Sequence, residues 1–91
     1  MKFEWDENKR QSNIQKHGID FQDAERLFEG ITITFQDDRF DNGEQRYITM
    51  GLIDEIVVVI AHTEFDNVIR IISMRKATKN EQKLFFKRFT Y

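Results

Sequence analysis

The middle of the chain alternates between apolar and polar residues, which is the pattern of β-strands with one buried face. Residues 31–35 and 45–52 both alternate in this way. Residues 56–61 are apolar at every position, which is typical of a central strand covered on both faces. Residues 68–75 follow as a further strand. The last three segments therefore predict a β-meander with the apolar strand in its middle.

Polar segments separate these strands. Residues 53–55 and 65–67 contain Asp or Asn, which adopt turn conformations readily, and we expect a three-residue turn at each. The polar stretch at residues 36–43 predicts a loop before the meander.

The first third of the chain predicts a short strand and two helices. Residues 2–5 alternate, and Asp6 is a suitable N-cap for a helix that ends at His17, with Gly18 as its left-handed stop. A second, short helix begins after Asp20. Its apolar residues fall on one stripe at helical spacing: Phe21, Ala24, Leu27 and Phe28.

The last helix has the clearest boundary in the chain. Thr78 and Glu81 match the capping box, in which each side chain accepts a hydrogen bond from the backbone of the other, so the helix is expected to start near Lys79. One side of it is expected to bury Leu84, Phe85 and Phe89. Lysines recur every four residues along another side, at Lys79, Lys83 and Lys87.

Charge is divided unevenly along the chain. Residues 70–91 carry seven basic side chains and one acidic one, a net charge of +6, whereas residues 1–69 have a net charge of −8. The total of −2 and the pI of 5.6 therefore hide a basic C-terminal end. This asymmetry indicates a polyanion or an oppositely charged partner. The alternative is that the lysines only solvate the last helix.

Length and composition restrict the kinds of site. The 91 residues predict one domain, 1–91, without a deep enclosed pocket, so chemistry is expected on an open face. The absence of cysteine excludes disulfides, a thiolate nucleophile and a cysteine zinc site. No familiar metal or cofactor motif is present, and neither group is expected. Because no apolar run is long enough to span a bilayer and the N-terminus does not resemble a signal peptide, we expect a cytoplasmic protein with no membrane contact.

His62 is the first candidate for chemistry. If both turns have three residues, the pairing places His62 between Arg46 and Arg70 on neighbouring strands. Two guanidiniums beside an imidazole suit a phosphodiester, because the arginines hold the anion while the histidine moves a proton. A register that differs by one residue would instead point Arg46 and His62 to opposite faces.

Three further residues are candidates for the site, and the first two have two interpretations each. His17 ends a helix, where a cation complements the helix dipole, and this structural role competes with a catalytic one. Glu44 lies two residues before Arg46, so the two are either an exposed ion pair or a base and an anion binder. Arg75 is the strongest candidate for a phosphate contact, because it lies where a strand leads into a helix N-terminus.

Several motifs occur in order from about residue 3 to about residue 85. They are Phe3-Glu4-Trp5-Asp6, Lys16-His17-Gly18, Gly43-Glu44 with Arg46 and Gly51, and residues 69–78 with Glu81. The ordered set resembles the BrnT family, the toxins of bacterial type II toxin–antitoxin pairs. The resemblance implies an α+β fold like that of the RelE-type ribonucleases, with a small antiparallel sheet packed with about three helices.

The resemblance also implies metal-independent cleavage of RNA, and a cognate antitoxin that neutralises the toxin and brings DNA binding to the complex. The expected reaction is attack of a ribose 2′-hydroxyl on the adjacent phosphate. We expect Arg46 and Arg75 to stabilise charge, with His62 or His17 as acid or base. RNA binding is expected from Arg70, Lys76, Lys79 and Lys83.

Two other functions compete with this one. A non-catalytic binding module would use the basic last helix to dock an acidic antitoxin or regulatory segment. A small DNA-binding protein is disfavoured, because the acidic remainder repels a duplex and no recognition-helix motif occurs.

Overall fold

A computed structural model of the protein describes residues 1–39 and 43–89. In this part of the chain five strands form one sheet in the order β1-β5-β4-β3-β2. The elements are β1 (Lys2–Glu4), α1 (Glu7–His17), a 3₁₀ turn (Phe21–Asp23) that leads into α2 (Ala24–Glu29), β2 (Ile33–Asp37), β3 (Arg46–Ile53), β4 (Ile56–Phe65), β5 (Val68–Lys76) and α3 (Lys79–Lys87). The α+β class is confirmed, and β4 is the central strand, as its apolar run predicted.

The two turns of the meander have two residues each, so the prediction of three-residue turns is wrong. Asp54 and Glu55 have φ values of 50° and 69°, and Asp66 and Asn67 have φ values of 52° and 66°. Two consecutive positive φ angles are the mark of a type I′ turn, whose twist matches that of the flanking strands. As a result Ile53 pairs with Ile56 and Phe65 with Val68, so the pairing beside each turn differs by one residue from the expected one. A β-bulge between Ala61 and His62 shifts the rest of the β4–β5 pairing by one more residue.

The sheet is mixed rather than antiparallel. β1 pairs with β5 in parallel, while β2, β3, β4 and β5 are antiparallel to their neighbours in sequence. β1 covers only the first part of β5, and α1 covers the edge beyond it. There Asn13, a buried residue of α1, bonds both the N–H and the C=O of Met74 through its side chain. The amide of Asn13 therefore replaces the missing strand at this edge.

Both faces of the sheet carry a core. On one face, which we call the α2 face, the predicted apolar stripe packs against Val58, Ile60 and Ile71, with Phe21, Ala24 and Leu27 all 0 % exposed. The opposite face, the α3 face, buries Phe85 of α3 against Val57 and Val59. α3 packs at one end of its face, and the other end carries the polar side chains described below.

Helix caps follow the predictions. Asp6 accepts hydrogen bonds from the first turn of α1, and Gly18 ends that helix with a φ of 70°. The capping box of Thr78 and Glu81 is present at the start of α3. Of the three residues expected to be buried on α3, only Phe85 is buried, because Leu84 and Phe89 are each more than two-fifths exposed.

The strand before the meander is shifted relative to its prediction. β2 runs from Ile33 to Asp37, so it includes the first two residues of the predicted loop, while Ile31 precedes the strand and is 63 % exposed. Residues 40–42 of the predicted loop lie outside the described residues. The extension brings Asp37 into the sheet, opposite Arg46.

Candidate nucleic-acid interface

The predicted row of Arg46, His62 and Arg70 does not exist. His62 pairs with Tyr47 and Ile71, whereas Thr63 pairs with Arg46 on one side and Arg70 on the other. The two-residue turns shift the register by one position, and neighbouring residues of a strand point to opposite faces. His62 therefore lies on the α2 face, and the two arginines lie on the α3 face.

His62 is part of the core. It is 0 % exposed, and its Nε2 lies 2.7 Å from the hydroxyl of Thr49. The rings of Phe28 and Tyr47 pack on it at centroid distances of 5.4 and 5.8 Å. Burial lowers the pKa of His62 to about 4, although the backbone of Thr63 opposes the shift. The imidazole is therefore neutral near pH 7 and does not face the arginines.

A row of five polar residues crosses the α3 face, one on each strand. Directly paired residues of neighbouring strands point to the same face. The pairs Asp37 with Arg46, Arg46 with Thr63, Thr63 with Arg70, and Arg70 with Glu4 therefore form one continuous line, which we call the polar row. Two arginines thus flank the hydroxyl of Thr63.

Carboxylates neutralise much of the positive charge around this row. Arg39 donates two hydrogen bonds to Asp37, at 2.8 and 2.9 Å, and Arg70 lies 3.3 Å from Glu4. The hydrogen bonds from Arg39 lower the pKa of Asp37, burial opposes the shift, and the charge of Arg46 adds to it. Asp37 is therefore ionised at neutral pH, and the row combines cations and anions.

Arg75 lies on the same face, opposite Val59, and is paired with a carboxylate too. Its guanidinium donates to both oxygens of Glu81, at 2.7 and 2.9 Å, and Glu81 also accepts from the backbone N–H of Thr78. The hydrogen bond from Arg75 is the main reason that the pKa of Glu81 falls to about 2. Arg75 therefore connects β5 to the N-terminal cap of α3. This connection is a structural role, in addition to any role in phosphate binding.

The floor between these arginines is made of small residues. Ala61 and Ser73 are paired on the α3 face, one row nearer to α3 than the polar row. Ser73 also lines a depression of about 260 Å³ at the α1 edge, with Lys9, Lys16 and His17. His17, which is the exposed histidine of the described residues, thus lies at the border of the α3 face.

The whole arrangement can hold a phosphodiester on an open face. A family model for the BrnT ribonuclease toxin of type II toxin–antitoxin systems matches residues 5–81. The chain belongs to this BrnT family. A search among curated proteins found no match. RNA is accordingly the target that its family indicates, and an antitoxin is the partner.

In this BrnT-family protein, the lysines predicted to bind RNA lie apart from the polar row. Lys76 pairs with Val58 and so lies on the α2 face at the end of β5. Lys79 and Lys83 line a shallow depression on the outside of α3 together with Gln82, Phe86 and Lys87. The basic stripe of α3 is thus present as predicted, and only Arg70 of the predicted RNA-binding set lies in the row.

Several residues of the candidate site are not predicted by the sequence pattern. Strand pairings and turns that the alternating pattern does not specify bring four residues to this site. They are Thr63, Glu4, Asp37 and Arg39. Asp66-Asn67 was the signal that could have found Thr63, because such pairs favour two-residue type I′ turns. Glu44 was noted, and it lines a depression with Thr63 and Arg70.

Two further observations concern the described part of the chain. No three His, Asp or Glu side chains converge there on a point where a metal ion could bind. Within residues 1–39 and 43–89 no helix has the length and hydropathy of a membrane span.

Proposed function

We propose that this BrnT-family ribonuclease cleaves RNA on the α3 face by a metal-independent reaction. The observation that carries the proposal is the polar row, in which Arg46 and Arg70 flank the hydroxyl of Thr63. Guanidinium groups bind phosphate oxygens with two hydrogen bonds each. A family of ribonuclease toxins needs such a site, and the row offers it on an open surface.

The proposed step is an attack of a ribose 2′-hydroxyl on the adjacent phosphorus. The new bond from the 2′-oxygen to phosphorus forms as the bond to the 5′-oxygen breaks, which leaves a cyclic 2′,3′-phosphate and a 5′-hydroxyl. Arg46 and Arg75 stabilise the charge that develops on the phosphoryl oxygens.

His17 is the proposed acid or base of this reaction. It borders the α3 face through Ser73, whereas His62 is buried and neutral on the other face. His17 takes the proton of the 2′-hydroxyl or supplies the proton to the 5′-oxygen, and water exchanges the other proton.

The carboxylate partners of the arginines suggest how RNA binds. Arg39, Arg70 and Arg75 already hold carboxylates of the same chain. A phosphate that replaces Glu4 at Arg70 keeps the guanidinium hydrogen-bonded, so binding exchanges one anion for another. The exchange lowers the net gain from each arginine, and several arginines are therefore needed for tight binding.

The antitoxin is proposed to cover α3 and the end of β5. Lys76 and the exposed lysines of α3 give this end its positive charge, and Phe86 adds an apolar surface that is 48 % exposed. An acidic segment of a cognate, DNA-binding antitoxin fits this combination, and it would hinder access of RNA to Arg75.

The test is cleavage of single-stranded RNA by the purified chain in the presence of EDTA. We expect products with cyclic or 3′-phosphate ends. Arg46→Ala should reduce kcat/KM about a hundredfold, because charge stabilisation of this kind contributes about 3 kcal/mol. Arg26→Ala removes an arginine of α2 that is paired with Asp23 and Asp54, and it should retain full activity.

His17→Asn adds the second readout. The variant should lower kcat and remove one limb of its pH profile, while the affinity for uncleavable RNA stays within about twofold. Activity that disappears with EDTA and returns with a divalent ion would overturn the mechanism. RNA binding without any cleavage would favour the alternative of a non-catalytic binding module.

A further inference from the structure

Phe65 is the most exposed large apolar residue of the described chain. It is 82 % exposed at the end of β4, beside the type I′ turn of Asp66 and Asn67. Phe65 follows Thr63 by two residues on the same strand, so both side chains point to the α3 face. The aromatic ring therefore stands directly beyond the polar row.

Phe65 and the polar row share a depression of about 340 Å³. Its lining includes Glu4, Thr63 and Arg70 of the row, with Glu44 and Asp66 at the rim. Thr63 is 6 % exposed and lines the depression, so its side chain borders the space that a ligand would occupy. A threonine hydroxyl can both donate and accept a hydrogen bond, so Thr63 offers a polar contact to a ligand in this depression.

Once Arg70 holds the backbone phosphate, the remaining charges of this depression do not suit a second phosphate. The carboxylates of Glu4, Glu44 and Asp66 outnumber the guanidinium of Arg70. A nucleobase suits it better, because a base carries no net charge, stacks on aromatic rings, and offers donors and acceptors on its edges. Guanine offers donors at N1 and N2 to a carboxylate, and acceptors at O6 and N7 to Arg70 or Thr63.

We propose that this depression is a nucleobase subsite of the RNA site, with Phe65 as its stacking platform and guanine as its preferred base. The proposal rests on the proposed ribonuclease function and extends it. The polar row holds the backbone phosphate, and the neighbouring base lies on Phe65 with its Watson–Crick edge toward Glu44. Single-stranded RNA follows as the substrate, because a paired base cannot leave its stack without a cost.

Binding measurements test the platform without relying on cleavage. The probe is a short uridine RNA with one central guanine and 2′-O-methyl ribose throughout, which prevents attack. Phe65→Ala should weaken binding roughly ten- to a hundredfold, the range expected for loss of one base–aromatic stack. Phe65→Tyr should stay within about threefold of the wild type. Ile56→Ala is the control, since Ile56 is 46 % exposed at the other end of β4.

Changes of the probe separate stacking from a general effect of the variant. An abasic site in place of guanine should weaken binding to the wild type and leave binding to Phe65→Ala unchanged. Adenine in place of guanine should weaken binding to the wild type about tenfold, and Glu44→Gln should remove most of this preference. Equal affinity of wild type and Phe65→Ala for the guanine probe would overturn the proposal, and Phe65 would then be exposed for a protein partner.

The same measurements distinguish the two proposals. A wild type that binds the probe through Phe65 but cleaves no RNA would contradict the ribonuclease mechanism and support the subsite. A wild type that cleaves RNA with no dependence on Phe65 or on the base would support the mechanism and contradict the subsite. No RNA binding at all would overturn both.

Discussion

His62 and Thr63 are neighbours in the chain, yet they lie on opposite faces of the sheet. The side chain of His62 is enclosed by Phe28, Tyr47 and Thr49 on the α2 face. Thr63 lies between two arginines on the α3 face. The same two residue types would exchange roles if the register shifted by one position, so residue type alone does not decide which group takes part in chemistry.

Burial of His62 predicts a pH dependence of stability. Its pKa falls from 6.5 to about 4 in the folded protein, so between these values the unfolded chain binds a proton that the folded chain does not. The free energy of unfolding should therefore fall as the pH falls from about 6.5 to about 4, by up to roughly 3 kcal/mol. Urea denaturation of the wild type at a series of pH values measures this dependence of the free energy of unfolding on pH.

His62→Gln is the matched variant, because it keeps a polar group near Thr49 and cannot titrate. The difference between the two stability curves isolates His62 from the carboxylates, which both proteins share. The stability of the wild type should fall relative to that of His62→Gln as the pH falls toward 4. Parallel curves would show that His62 accepts its proton inside the fold, with the help of Glu64 at 3.7 Å from Nδ1.

At the scale of elements, α2 lies against β3 so closely that a glycine is required beneath it. A Cβ added to Gly51 would lie 2.7 Å from both Cγ and Cδ2 of Leu27, and 3.2 Å from Cγ2 of Thr32. Leu27 is 0 % exposed and cannot turn outward. Gly51 therefore sets the distance between helix and sheet, and no turn or positive φ is involved.

Gly51→Ala should destabilise the protein by about 1–3 kcal/mol, because the new methyl group overpacks the core beneath Leu27. Gly30→Ala is the control, since its Cβ would meet only the carbonyl oxygen of Leu27 at an ordinary 3.7 Å. Thermal denaturation of the two variants gives the comparison. A Gly51→Ala protein as stable as the wild type would mean that α2 moves away from β3 at little cost.

At the scale of the whole molecule, the lysine-rich surface of α3 is separate from the open α3 face of the sheet. Of the basic residues that give segment 70–91 its net charge of +6, Lys79, Lys83 and Lys87 lie on the outside of α3, whereas Arg70 and Arg75 lie on the sheet. Arg70 and Arg75 of the α3 face are paired with carboxylates, so this face is closer to neutral. This separation is the basis of the proposed division of partners, an antitoxin on the helix and RNA on the sheet.

This separation predicts electrostatic steering of the antitoxin. Reversing the charges of Lys79 and Lys83 to Glu should slow association with the antitoxin several-fold at low salt and much less at high salt, because salt screens exposed charges. Arg26→Glu on α2 is the control and should change the rate little. Stopped-flow mixing at two salt concentrations measures the association rates of the charge-reversed protein and of the control. A rate that depends on neither salt nor the lysines would place the docking surface elsewhere.

Local pattern in the sequence determined most of the elements. The caps at Asp6, Gly18 and Thr78, the stripe of α2, and the central position of β4 follow from spacing and propensity, because each depends on residues close in the chain. The family was visible in the same way, since its motifs are short and ordered, and the family match at residues 5–81 confirmed it. The RelE-like architecture stays a prediction.

Tertiary structure decided the register, and with it the candidate site. One residue fewer in each turn moved His62 into the core and brought Thr63 between Arg46 and Arg70. Arg75 meets Glu81, six residues later, at the junction of β5 and the first turn of α3. Such pairings depend on the twist of neighbouring strands and on contacts between distant segments, which hydrophobic periodicity does not encode. The sequence by itself therefore determined which elements form, and packing decided which side chains meet.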